Sequence, residues 1–517
     1  MAPGKTAPPA PALTGTPAAP PESTPARAVA VIAPAVILVI GMVAAVNLAI
    51  PQLQASSLHP SVSATAWVVD SYTLVFACLL IPAGALGDRF GRKRGMLAGL
   101  VLFAAGSALS ALAPNVATLM AGRALSGVGA ALVLPATLAV TLARLEPRDR
   151  PRGVALWSAL TGIGGVAGNL GGGLAVEYGG WQALFWAGVP TALAAAALIG
   201  WQVPALTRHR DPVDGGGGLL LTAGSVALLY GIIDGPERGW GSWPVLGSLL
   251  LAIVLLVSFV VYELRAAHPM LDPRLFRLPG VRAGSLGIVA LFFALFGLFY
   301  INAQYLQDVK GYSAVLTGVC ILPVAVVMPI TSARSTRLAA RIGERATIGL
   351  GMLILTAGIA LLSFATAATP YPLYGLLLAV VSAGMGLAMP PLSGMIVHSL
   401  PPSHAGVSSG LNSTTREFGS ALGVAVFSTI LTARFATHLP TALRAVPGAQ
   451  GQAIRRSITS ALNYAASVPG PAVRAHLIDG TRDAFTSGTS LGLRVGAVLL
   501  LLTTAVVAHQ HPRERES

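Results

Sequence analysis

Charge is what this 517-residue chain has least of: Asp, Glu, Lys and Arg make up 10% of it, against roughly a quarter of an ordinary soluble protein. With 54% apolar residues and a mean hydropathy of +0.72, it is not a cytosolic globular enzyme. Cysteine is nearly absent. The two present, Cys78 and Cys320, lie in apolar runs, which excludes a disulfide framework. Lysine occurs only at 5, 93 and 310 against thirty arginines, a bias typical of GC-rich bacterial genomes. There is no complete phosphate loop, no HExxH, no GxSxG, and no metal-like spacing among the nine histidines. No ATPase machinery, metal, cofactor or catalytic nucleophile is therefore expected. The glycine run at 162–173 lies inside an apolar segment, where a dinucleotide loop makes no sense.

What is abundant is apolar length. A bilayer core of ~30 Å takes about 20 apolar residues per helix, so fourteen crossings use a little over half of such a chain. Residues 1–28, rich in Pro, Ala and Thr, read as a disordered tail. The first run, 29–50, is too long for a signal peptide and is expected to remain as a span. Further spans fall near 65–86, 95–113, 117–142, 153–176, 182–202, 216–234, 244–262, 283–304, 313–332, 346–366, 373–396, 406–431 and 489–508. Fourteen is even, so both termini share one side.

Lys and Arg collect in cytoplasmic loops. With the N-terminus inside, 22 of the 33 basic residues are cytoplasmic, among them Arg89, Arg92, Lys93 and Arg94 in the first inner loop. The net charge of +14 is thus mostly topological, and no nucleic-acid partner is expected.

The chain also repeats itself. LGDRFGR at 86–92 and LAARIGE at 338–344 align at an offset of 252, and Gly129 and Pro135 match Gly384 and Pro390 at 255. Such offsets fit eight spans, not six. The expected fold is all-α: a six-helix bundle (29–202), a linker with two inserted helices (203–262), and a second six-helix bundle (263–508) with an extracytoplasmic segment at 433–487 and a tail at 509–517. Ile454, Ile458 and Leu462 recur at helical spacing, so that segment is expected to hold an amphipathic helix. Two related bundles with a site between them near the midplane is a common transporter plan.

Between the second and third spans lies GALGDRFGRKRGML, 84–97. It resembles the loop signature of the major facilitator superfamily, GxLaDrxGrkxxl, with Gly84, Asp88, Arg89, Gly91, Arg92 and Lys93 on the pattern. The resemblance implies a conformational latch at these residues, beside their bland role as a positive loop. LMAGRALSGVGAALVLP at 119–135 resembles the family's fourth-helix motif, implying a proton-coupling role for Arg123. Gly164, Gly168, Gly172 and Gly173 match the exporter signature GxxxGPxxGG, with Asn169 in place of the proline and hence of its kink. ELRAAHPMLDPRLFR (263–277), YLQDVKGYSAVLTGVCILP (305–323), GVSSGLNSTTREFGSALGVAVF (406–427) and WVVDSYTLVFA in the second span resemble the fourteen-span drug/proton antiporter branch. In that branch the first span ends LDxTIVNVALP, whereas here GMVAAVNLAIP (41–51) puts Met42 where the protonatable aspartate stands, with Asn47 and Pro51 keeping register.

The acids and bases left inside the spans are the remaining coupling candidates. Asp70 and Arg123 lie at similar estimated depths, roughly 8–9 Å below the outer edge; Asp70 either answers Arg123 or caps its helix near the headgroups. Arg416 and Glu417 lie about ten residues into the thirteenth span, near the midplane. A charge there costs at least ~2.5 kcal/mol, which favours a cavity or a partner. Asn47 completes the set. Together these readings give a monomeric efflux antiporter of the bacterial cytoplasmic membrane, both termini cytoplasmic, exchanging a drug-like or amphipathic small molecule for protons. An uptake permease or uncoupled facilitator, and a non-transporting sensor or scaffold, are the alternatives.

Overall fold

The computed structural model describes residues 24–58, 62–204, 214–266, 269, 272–400 and 405–510. No strand occurs among them. Seventeen helices follow in order: α1 (Pro25–Ala55), α2 (Val62–Phe90), α3 (Arg92–Ala111), α4 (Val116–Ala143), α5 (Arg150–Gln202), α6 (Gly215–Arg238), α7 (Trp243–Glu263), α8 (Pro279–Gln304), α9 (Ala314–Val319), α10 (Leu322–Ile342), α11 (Glu344–Leu362), α12 (Tyr371–His398), α13 (Ala405–His438), α14 (Thr441–Arg444), α15 (Gly448–Arg456), α16 (Ile458–Ser467) and α17 (Pro471–Gln510). Twelve candidate spans occur among the described residues, besides a shorter apolar stretch, Trp67–Leu80, in α2. One of the twelve, Arg152–Gln202, takes in nearly all of α5, whose 53 residues are broken at Gly180 (φ 76°, ψ 176°). Two spans thus meet there at one glycine without a loop, and the pattern is consistent with fourteen crossings. Helices solve the bilayer's central problem, since they satisfy their backbone polar groups internally.

The long helices run alternately between two sides, called here near (where α1 begins) and far. On the near side Lys93 Nζ donates to Gly200 O (2.8 Å), and Arg282 Nε to Gln510 Oε1 (2.9 Å). On the far side Gln52 Nε2 donates to Val176 O (2.9 Å), and Thr459 Oγ1 to Asp308 (3.2 Å). One apolar core joins α1 to α5, and a second joins α8, α10 to α13 and α17.

Two local expectations change. Helix α1 starts at Pro25, with proline at its first position where no N–H is needed, so residues 25–28 are helical and only 1–23 of the expected tail lie outside the described residues. In the segment 433–487, Ile454 and Ile458 belong to two helices and not one, because Ser457 between them is extended (φ −137°, ψ 124°) and caps α16. Both isoleucines are nonetheless buried in the second core.

Candidate functional site

Helix α4 is anchored by Asn115, whose side chain accepts from Thr118 N. About three turns in, Gly127 faces α2, where a Cβ on it would stand 2.6 Å from Tyr72 O. That close approach brings Arg123, 1% exposed, onto the backbone of α2. Its Nε donates to Val68 O (3.1 Å) and Nη2 to Val69 O (3.4 Å), using the second lone pair of carbonyls already engaged in the helix. Its guanidinium carbon sits 4.5 Å from the Tyr72 ring centroid and 5.9 Å from that of Phe185. Tyr72 in turn donates to Val39 O of α1 (2.9 Å). Asp70, half-buried on the same turn of α2, acts electrostatically on this guanidinium. Arg123 is therefore a fully buried cation whose charge is spread over its own guanidinium and set against an aromatic ring, the form of basic residue best suited to an apolar interior.

Met42 is buried in the first core, and its Cε is 3.2 Å from where a Cβ on Gly188 would lie. The position held by an aspartate in the resembled branch is thus plain apolar packing here. Asn47 is exposed, and its amide turns back to Val43 O (3.2 Å) and Ala44 O (3.3 Å) of its own helix.

Arg416 lies elsewhere. On α13 it is 4% exposed, with its guanidinium 4.7 Å from the Phe292 ring of α8 and 5.6 Å from the Trp157 ring of α5. Those rings come from different bundles, so Arg416 sits at the seam between them, and the side chain of Glu417 lies outside the described residues. The candidate coupling residues consequently form two places and not one: Arg123 with Asp70 inside the first bundle, and Arg416 between the bundles.

The exporter glycines have a clear packing role. Cβ atoms on Gly164, Gly168 and Gly172 would meet Ile37 and Ile40, Gly41, and Ala45 of α1, the Gly168 one at 2.2 Å from Gly41 O, while one on Gly173 would only touch Leu48 (3.6 Å). Asn169 donates to Gly165 O (3.1 Å), and α5 runs through this stretch without a break. The second bundle copies the arrangement 255 residues on: Gly419 and Gly423 press against Val289 and Phe293 of α8 in the same way. Likewise Gly99 meets Gly129 across α3 and α4, and Gly351 meets Gly384 across α11 and α12. The repeat is one of contacts as well as letters.

At the latch motif, Gly91 takes φ 102° and turns α2 into α3, as Gly343 (φ 84°) turns α10 into α11. Only glycine adopts this region without strain. Gly84 lies beside Pro135, Arg89 is exposed, Arg92 is half-buried, Lys93 caps the α5 terminus at Gly200, and the Asp88 side chain lies outside the described residues.

Sequence reasoning passed over Asp234, 1% exposed at the far end of α6 and bound by Trp67 and Arg238. Its signal was an acid closing an apolar run with an arginine four residues on. Among the described residues, no group of three or more His, Cys, Asp or Glu could hold a metal.

The family model described as "Major Facilitator Superfamily" matches residues 32–424. Among curated proteins, the multidrug resistance protein Stp of Mycobacterium tuberculosis is 33% identical over 468 residues, covering 89% of this chain and 87% of the relative. The tetracenomycin C resistance and export protein of Streptomyces glaucescens is 30% identical over 484 residues, covering 91% and 90%. Among solved structures, the human organic anion transporter MFSD10 (TETRAN) superposes with a TM-score of 0.59 at 16% identity, covering 95% of this chain and 100% of that one.

Proposed function

Since this multi-pass membrane protein belongs to the Major Facilitator Superfamily, we propose that it is a secondary active exporter. It moves drug-like or amphipathic small molecules out of a bacterial cell in exchange for protons, by alternating access between its two bundles. Relatives named for resistance and export support the direction. The observation that carries the coupling is Arg123, buried and held by Val68 O and Val69 O immediately before Asp70. An ionised Asp70 holds α2 to the positive charge of α4; a protonated one releases it. Arg416 supplies a fixed positive charge at the seam, with Glu417 beside it in sequence. The near side is the cytoplasm, as the basic loops require, both termini lie there, and the working unit is a monomer of two bundles (29–202 and 263–508) joined through 203–262.

The test uses everted vesicles carrying a proton gradient reported by a quenched pH-sensitive dye. Adding an exported compound should restore fluorescence with the wild type and not with Asp70→Asn at equal membrane abundance. Gradient-independent transport by both proteins would make the chain a facilitator, and full activity in Asp70→Asn would remove Asp70 from the mechanism.

A further inference from the structure

Of the two helices inserted between the bundles, α6 lies along their seam. Leu229 and Ile233 pack with Leu74, Ala77 and Cys78 of α2 and with Phe418 and Ala421 of α13. Toward the far side these contacts become polar. Asp234 accepts on Oδ1 from Trp67 Nε1 of α2 (3.1 Å) and pairs through Oδ2 with Arg238 Nε (2.5 Å). The Trp67 ring lies 5.4 Å from that of Tyr230. Just past Asp234, Trp240 folds over Gly235, where a Cβ would stand 2.9 Å from the indole, and donates from Nε1 to Thr429 Oγ1 of α13 (3.3 Å). The inserted pair thus grips the first bundle through Trp67 and the second through Thr429, both toward the far side.

The grip on Trp67 reaches further than the seam. Trp67 directly precedes Val68 and Val69, whose carbonyls hold Arg123, and stands three residues before Asp70. A displacement of α2 that takes Trp67 from Asp234 therefore displaces the very turn that binds Arg123. A hydrogen bond to a buried carboxylate is among the stronger kinds, because the charge has little solvent to fall back on.

We propose that the inserted pair is the far-side clasp of the transport cycle, with Asp234 as its positioning residue: the far mouth opens when Trp67 leaves Asp234, and that departure loosens the α2 turn on which Arg123 and Asp70 act. The proposal rests on the export reading above, since a clasp presupposes a cycle to gate. It gives the extra helices of a fourteen-span chain a mechanical task, tying closure of one mouth to the state of a site inside the first bundle.

The experiment places a single reporter at Leu74→Cys in a Cys78→Ser, Cys320→Ser chain and measures its labelling in intact cells by a membrane-impermeant maleimide. Trp67→Phe and Asp234→Ala should each raise the labelling rate roughly tenfold, the size expected on losing one charge-assisted hydrogen bond. Asp234→Asn, which keeps an oxygen to accept from Trp67, should show less than a third of that rise. Thr429→Val, at the other end of the clasp, should shift labelling in the same direction even if a Trp67 variant fails to fold. Export measured in the same cells should lose its dependence on the proton gradient in Asp234→Ala more than it loses rate, which a merely misfolded fraction would not do. Labelling unchanged in Asp234→Ala and Thr429→Val, with the wild type exporting normally, overturns the clasp and leaves the export reading standing. A wild type that exports nothing while the labelling pattern holds overturns the export reading and, with it, the clasp's place in a transport cycle, leaving only a far-side contact that controls access to Leu74.

Discussion

A lysine could carry the charge of Arg123 but not its geometry. The guanidinium reaches two carbonyls of α2 while its central carbon stands 4.5 Å from the Tyr72 ring centroid; an ammonium is a compact, strongly hydrated charge that stacks poorly. Arg123→Lys is expected to lower export at least tenfold at unchanged membrane abundance, measured as gradient-driven flux in vesicles. Lys310 plays a quieter part: it donates to Ala367 O (2.7 Å) and to Thr369 O, and burial draws its pKa below that of a free lysine. Lys310→Met leaves both carbonyls without their donor and should destabilise the detergent-solubilised protein by about 1–3 kcal/mol, read as a lower melting temperature. At this scale the sequence revealed which residues are unusual and hid what they touch. Arg123 and Arg416 stand out as charges in apolar runs, yet Tyr72, Trp157 and Phe292, which receive them, look like any other aromatic in a span. Asp234 read only as the end of a helix, because nothing local says that Trp67, 167 residues away, will meet it.

Between elements the determinant is how closely two backbones can approach. A Cβ on Gly168 would sit 2.2 Å from Gly41 O, and one on Gly423 would sit 2.2 Å from Phe293 O, whereas Gly171 has nothing within 4 Å. Gly168→Ala and Gly423→Ala should therefore each abolish most export and lower thermal stability, while Gly171→Ala, one turn away, should do neither. Equal effects of all three would show that helix propensity and not interhelical distance is at issue. Spacing exposed the exporter glycines of α5 readily, since a four-residue period draws one face of a helix. It was less informative in 433–487, where an unbroken helical period crossed Ser457; the extended backbone there, fixed by the cap on Ser460, has no signature in hydrophobic periodicity. Gly180 likewise marks a corner that the apolar pattern alone could show only as a gap between spans.

The whole molecule follows the hydropathy pattern more closely than its site does. The all-helical membrane fold and the places of its apolar spans were legible, because membrane thickness and backbone satisfaction leave a chain few options; the contact sites depend on pairings no single-chain pattern encodes. Sidedness is open to direct measurement. In the Cys78→Ser, Cys320→Ser chain, a cysteine replacing exposed Arg474 should react with impermeant maleimide in intact cells, and one replacing exposed Arg274 only after permeabilisation. The reverse pattern would invert the topology proposed here.

Ile454, Ile458, Ala461 and Ala465 belong to the same apolar core as α8, α11 and α12, so α14 to α16 are welded to the second bundle and travel with it. An antibody fragment raised against that surface would ride one bundle as a rigid handle without bridging to the other. It would add mass for single-particle imaging of a small membrane protein, and its angle to the first bundle, compared between particles, would test whether the bundles rock as alternating access proposes.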